Sequence, residues 1–193
     1  ILLHHRGLLF YSVRCIKIKR HVFTQRLNME LHQEIKTLAA KLGAILTDKR
    51  LWITTAESCT GGGVSYALTD TPGSSNYIDR AFVTYSNQAK QQLIGVSEQT
   101  LNSFGAVSEQ TVLEMASGAA KAANADIAIA ISGIAGPGGG TLDKPVGLVW
   151  FCIHFAGKNY PSEQVFSGDR AEVRLQAIVY SLKTVIELIK SEN

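Results

Sequence analysis

The stretch I-A-I-A-I-S at residues 127–132 decides the architecture. A strand with one wet face alternates apolar and polar residues, whereas this one is apolar on both faces. It is predicted as a central strand of a sheet covered on each side by helices. Downstream, V-G-L-V-W-F-C-I-H-F (146–155) reads as a second buried strand and Y-P-S-E-Q-V-F (160–166) as a more polar edge strand. The A-G-K-N turn between them is too short for a parallel crossover, so the sheet is expected to be mixed. Upstream, strands are predicted over Leu51–Ala56 and within Y-I-D-R-A-F-V-T-Y (77–85), with Ile78 and Phe82–Val83 at core positions. Helical spacing puts Leu31, Ile35, Leu38 and Leu42 on one face of a first helix, which Gly43 is expected to end. Helices are also predicted after the glycines at 61–63, over 86–95 and 96–105, from a cap at Ser108 through the alanine-rich 109–124, and over the C-terminal segment from Asp169. The fold class is therefore α/β: a three-layer α/β/α sandwich with a mixed sheet of about five strands.

The 193 residues, 46% hydrophobic and 18% charged, suffice for one domain with a sizeable core. The formal charge of +3 suggests nucleic acid until it is mapped along the chain. Residues 1–28 carry six bases and no acid. The remainder has thirteen bases against sixteen acids, a net −3. A specific nucleic-acid partner is not expected. The first Met is Met29, and the domain is expected to occupy 29–193, with 1–28 a basic N-terminal extension: a tail, an artefact or a targeting segment. Cys15, Cys59 and Cys152 are scattered without C-x-x-C spacing, which suits a reducing, cytoplasmic setting and argues against a disulfide framework or structural zinc. No apolar run reaches membrane-spanning length.

Three loops fall where central strands end, the place ligands collect in open α/β sheets. The first, A-E-S-C-T-G-G-G (56–63), offers Ser58 as a nucleophile, with the amides of Cys59, Thr60, Gly61 and Gly62 as oxyanion donors. Equally, Ser58 or Thr60 caps the following helix. Glycines at a helix start also suit a phosphate, and Cys59 is a rival nucleophile. Histidine is scarce beyond the extension, with only His32 and His154, so a hydrolase here needs another base. Lys90, five residues after Tyr85 in T-Y-S-N-Q-A-K (84–90), serves if burial keeps it partly neutral; otherwise it is a solvated helix lysine. The third loop, G-I-A-G-P-G-G-G-T-L-D-K-P (133–145), is either a ligand wall or a surface excursion. Asp169 and Arg170 are a helix cap with an anion clamp, or an ordinary capping pair. No His/Asp/Glu cluster has metal-ligand spacing, which leaves Glu57 and Asp79 as isolated candidates.

Taken together, T-A-E-S-C-T-G-G-G (55–63), F-V-T-Y-S-N-Q-A-K (82–90), G-A-V-S-E-Q-T-V (105–112), A-I-S-G-I-A-G-P-G-G-G (130–140), K-P-V-G-L-V-W (144–150) and F-S-G-D-R (166–170) strongly resemble the C-terminal domain of the CinA family. The resemblance runs from about residue 30 to 190. Stand-alone members of that family are nicotinamide-nucleotide amidases, which convert nicotinamide mononucleotide to nicotinic acid mononucleotide and ammonia. It implies hydrolysis without metal or cofactor, with Ser58 as nucleophile, Lys90 as base and Tyr85 as a third catalytic residue. Thr60, Gly133, Ala135, Gly136 and Gly138 would line the substrate pocket, and Arg170 or a glycine-loop amide would face the 5′-phosphate. The rival reading is an inactive nucleotide-binding module acting through protein partners. The alanine- and methionine-bearing helix at 109–124 suggests a homodimer.

Overall fold

The computed structural model describes residues 4–192, with side chains from Gln25 onward. Its elements are α1 (His4–Lys49), β1 (Ile53–Glu57), α2 (Gly63–Thr69), β2 (Phe82–Val83), α3 (Asn87–Ile94), α4 (Glu98–Phe104), α5 (Glu109–Ala123), β3 (Ile127–Gly133), β4 (Leu148–Phe155), β5 (Lys158–Val165) and α6 (Arg170–Ser191). The strands form one sheet in the order β2-β1-β3-β4-β5. β1 is parallel to β2 and β3, while β4 runs antiparallel to β3 and β5, so the sheet is mixed as expected.

The stretch at 127–132 is the middle strand, and its two faces differ. Ile127, Ile129 and Ile131 point into a core shared with α1, α2 and α6. Ala128 and Ala130 face α5, against Val112, Met115, Ala116 and Ala119. Small residues on both partners bring α5 close to the sheet. Gly118 lets α5 approach α3 as well, since an added Cβ would overlap the carbonyl oxygen of Ile94. Met115, Ala116, Ala119 and Ala120 of α5 are thus used inside the chain. The homodimer expected from that surface loses its basis.

Two expectations are corrected. The first helix does not end at Gly43. It continues to Lys49, and glycine stands at 43 because the Tyr77 ring lies against it: a Cβ there would meet the Tyr77 hydroxyl at 2.8 Å. That hydroxyl donates to the Leu68 carbonyl at 2.7 Å, pinning the segment before β2. The same helix begins at His4 rather than near Met29, and no proline precedes Pro72 to interrupt it. The division expected at residue 28, drawn from charge and from the first Met, falls within α1. Residues 1–3, and the side chains through Thr24, lie outside what the structure describes. The other predicted helix starts hold: Ser86, Ser97 and Ser108 each accept a backbone N–H three residues on.

Candidate active site

Ser58 follows the last residue of β1, and its N–H still donates to the Ile131 carbonyl at 2.9 Å. The central strand therefore fixes its position. The chain then turns tightly, with Gly61 N–H donating to Ser58 O at 3.1 Å and Gly63 N–H to Thr60 O at 3.2 Å. Gly61 (φ 62°) and Gly62 (φ 92°) take left-handed conformations that side chains disfavour. Of the four amides considered as oxyanion donors, Gly61 is thus committed to the turn itself. Cys59, Thr60 and Gly62 are left.

The fully buried Glu57 carboxylate accepts from Val64 N–H at 3.0 Å, from Ser65 N–H and hydroxyl at 2.9 Å, and from Thr55 hydroxyl at 3.2 Å. It fills the amide-lined start of α2, where a phosphate would otherwise sit, and locks β1 to the helix. Neither the phosphate reading of this turn nor Glu57 as a metal ligand survives that geometry. Among the described residues no group of three His, Cys, Asp or Glu side chains could hold a metal ion.

Lys90 lies in the first half of α3 and is only 1% exposed. Its Nζ donates to the Thr84 carbonyl at 2.8 Å and to Ser58 Oγ at 3.2 Å. It is not a solvated helix lysine. Burial pushes its pKa down from 10.5 to about 8, with Cys59 acting weakly the other way. Burial also pushes the Cys59 thiol up to about 11, with Glu57 adding to the rise. A thiol that holds its proton is a weaker nucleophile than a thiolate, and the contact of Lys90 Nζ is with Ser58 Oγ. The Thr60 hydroxyl is fully buried and has no hydrogen-bond partner, so it is no helix cap.

The third loop is anchored. Lys144 Nζ donates to the carbonyls of Phe104 (2.7 Å) and Val107 (2.8 Å) and so ties the loop to the α4–α5 junction. Ala135 and Gly136 are buried, whereas Gly138 borders open space. Gly133 sits opposite Val149 in the β3–β4 ladder, where a Cβ would strike the Val149 side chain, so packing accounts for this glycine. Arg170 bridges two loops, donating through Nη1 to Gly136 O at 2.9 Å and through Nη2 to the Tyr85 hydroxyl at 3.0 Å. Tyr85 is thereby held by Arg170 rather than by Ser58 or Lys90. Asp169 caps α6 in a reciprocal box with Glu172. A cavity of about 480 Å³ opens beside Ala135, Pro137, Gly168, Arg170 and Arg174. Arg174 went unnoticed in the sequence, although four-residue spacing puts it on the same face of α6 as Arg170. Its Nε donates to Cys59 O at 3.0 Å and its Nη2 to Thr60 O at 2.8 Å.

The chain is similar to known proteins over most of its length. The sequence model of the CinA C-terminal domain matches residues 35–189. The chain belongs to the CinA C-terminal domain family. It is 55% identical over 163 residues to the nicotinamide-nucleotide amidohydrolase PncC of Enterobacter agglomerans, covering 82% of this chain and 98% of that protein. Against the same enzyme from Escherichia coli K12 it is 54% identical over 153 residues, covering 79% and 93%. Among solved structures, the competence/damage inducible protein of Agrobacterium tumefaciens superposes with a TM-score of 0.78 at 44% identity, covering 80% of this chain and 95% of that one. The competence damage-inducible protein A of Klebsiella pneumoniae gives 0.79 at 39% identity, covering 81% and 97%. The CinA-family domain thus takes in Ser58, Lys90 and both arginines, and starts within α1.

Proposed function

We propose that this chain is a nicotinamide-nucleotide amidase, hydrolysing the carboxamide of nicotinamide mononucleotide to nicotinic acid mononucleotide and ammonia. One observation carries the mechanism: a buried amine, Lys90 Nζ, lies 3.2 Å from the hydroxyl of Ser58 at the end of a central strand. Neutral Lys90 takes the Ser58 proton as Oγ attacks the amide carbon. Negative charge develops on the carbonyl oxygen and is met by amides of the 59–62 turn, within low-dielectric surroundings that strengthen such bonds. The Lys90 ammonium gives its proton to the amide nitrogen as the C–N bond breaks, and ammonia leaves. Water then attacks the acyl-serine, again through Lys90, and releases the acid. The pyridinium withdraws electrons from the carboxamide and lowers the demand on the oxyanion donors.

The pocket proposal follows from the third loop. Ala135 lines the cavity with Arg170 and Arg174, and Gly133, Gly136, Gly138 and Thr60 are kept as proposed substrate-binding residues. Arg170, with Tyr85 fixed to it, stands at the mouth as the phosphate-facing cation. Tyr85 then contributes through Arg170, and Lys90 carries the proton. Two buried free thiols, Cys59 and Cys152, support a reducing, cytoplasmic setting. Among the described residues no helix is long and apolar enough to cross a membrane. A homodimer is kept as a proposal about assembly alone, and a monomeric sedimentation velocity at micromolar concentration removes it.

The test is ammonia release from nicotinamide mononucleotide, run beside nicotinamide and glutamine. The wild-type chain is expected to release ammonia from the nucleotide alone. S58A is expected to bind nucleotide and release none. Turnover retained in S58A defeats the Ser58 assignment, and a wild-type chain that binds without turnover favours the inactive-module reading.

A further inference from the structure

The bonds from Arg174 go to backbone carbonyls, which is an unusual use of a charged side chain at a site whose substrate is anionic. The two carbonyls, of Cys59 and Thr60, belong to the residues immediately after Ser58. A trans peptide is planar, with its C=O and the following N–H pointing in opposite directions. Gripping Cys59 O therefore aims the Thr60 N–H away from the guanidinium, on the far side of the turn. Gripping Thr60 O likewise aims the Gly61 N–H, and that one closes onto Ser58 O at 3.1 Å. The Thr60 amide is the donor left with its orientation fixed and its N–H turned away from Arg174. A cation bonded to a carbonyl also polarises the attached N–H and makes it a stronger donor.

We propose that Arg174 is a positioning residue that orients and charges the oxyanion donors from behind, with the Thr60 amide as the principal donor. The proposal rests on Ser58 being the nucleophile. It assigns different work to the two arginines on one face of α6. Arg170 bridges the loops at the mouth, while Arg174 acts through the peptide units of the turn and makes its contribution where charge develops in the transition state. Glu57 holds the following residues through the α2 amides, so the two ionic groups bracket the turn that runs from Ser58 to Gly62.

The experiment measures steady-state ammonia release from nicotinamide mononucleotide by R174A and R174K, over a pH series, with and without added guanidinium ion at millimolar concentration. Losing one oxyanion donor outright costs about 10²–10³-fold in kcat, and losing its orientation should cost about 10–100-fold. The expected result is that drop in kcat with KM changed less than about threefold. Guanidinium should partly restore R174A, and R174K should stay impaired because one ammonium does not span both carbonyls as the planar fork does. Lys90 is not held by Arg174, so the pH midpoint near 8 should persist in both variants. Wild-type kcat in R174A overturns the proposal. So does a KM raised tenfold with kcat kept, which would make Arg174 a phosphate ligand. If R174A fails to fold, R174K decides on the same criteria. Turnover surviving in S58A strikes the parent reading instead, and is distinguishable because it leaves the Arg174 ratios unchanged.

Discussion

Burying an amine behind a serine hydroxyl makes both catalysis and stability depend on pH. Lys90 is charged below about 8 and neutral above it, so kcat/KM is expected to rise through that pH as the base form appears. In the unfolded chain the same amine titrates near 10.5, so between about 8 and 10.5 the unfolded state binds more protons than the folded one. Stability from this group therefore increases as pH rises across that window. Urea midpoints measured from pH 7.5 to 10.5 should show the increase in wild type, and K90M should lack it while losing about 10²–10⁴-fold in turnover. A flat wild-type profile would mean the amine is hydrated after all. Ser58 and Lys90 were legible because each sits at a fixed offset from a strand end in a distinctive motif. Glu57 was visible as a residue but not as the acceptor for α2, and Arg174 meets its carbonyl partners across more than a hundred residues. No local pattern in the sequence encodes a contact of that kind.

Among the elements, α3 matters most because it carries the base. It is held on one side by the Ser86 cap and on the other by α5, whose Gly118 lies directly against the Ile94 carbonyl. G118A is expected to force the two helices apart, costing about 1–3 kcal/mol of stability, and to lower turnover by displacing Lys90. G138A is the stability control: its Cβ meets open space, so the melting temperature should stay close to wild type. A G118A enzyme with unchanged melting temperature would show that the helices give way freely. The alanines of α5 announced close packing in the sequence, and the paired alanines of β3 supply the matching surface. Gly43 was misread because a glycine that ends a helix and one that admits an aromatic ring look alike in sequence. Tyr77, thirty-four residues on, makes the difference.

At the scale of the whole molecule, the sandwich was readable from periodicity because every strand and helix buries a face that its pattern reveals. What periodicity missed was the extent of β2. The predicted strand over 77–85 shrinks to Phe82–Val83, since the Tyr77 and Ile78 side chains pack into the helix-covered core and Tyr77 keeps a single backbone bond to β1, from Ile53 N–H at 2.8 Å. This short edge strand joins the sheet by the pairs Ala56–Phe82 and Glu57–Val83, and it leads directly into the loop and helix that deliver Lys90. The nucleophile is anchored in the middle of the sheet. The segment that leads to its proton acceptor joins β1 at the rim through a two-residue ladder, the Thr84 N–H bond to Glu57 O at 2.8 Å and two isolated bonds at Tyr77 O and Arg80 O. Edge segments with so few bonds open at lower free energy than central strands. In a urea titration, ammonia release should fade at concentrations where the helical circular dichroism is still intact, and amide exchange across 82–90 should run ahead of that across 127–133. The enzyme would thus fall silent by fraying well before it unfolds, and dilution alone would restart it.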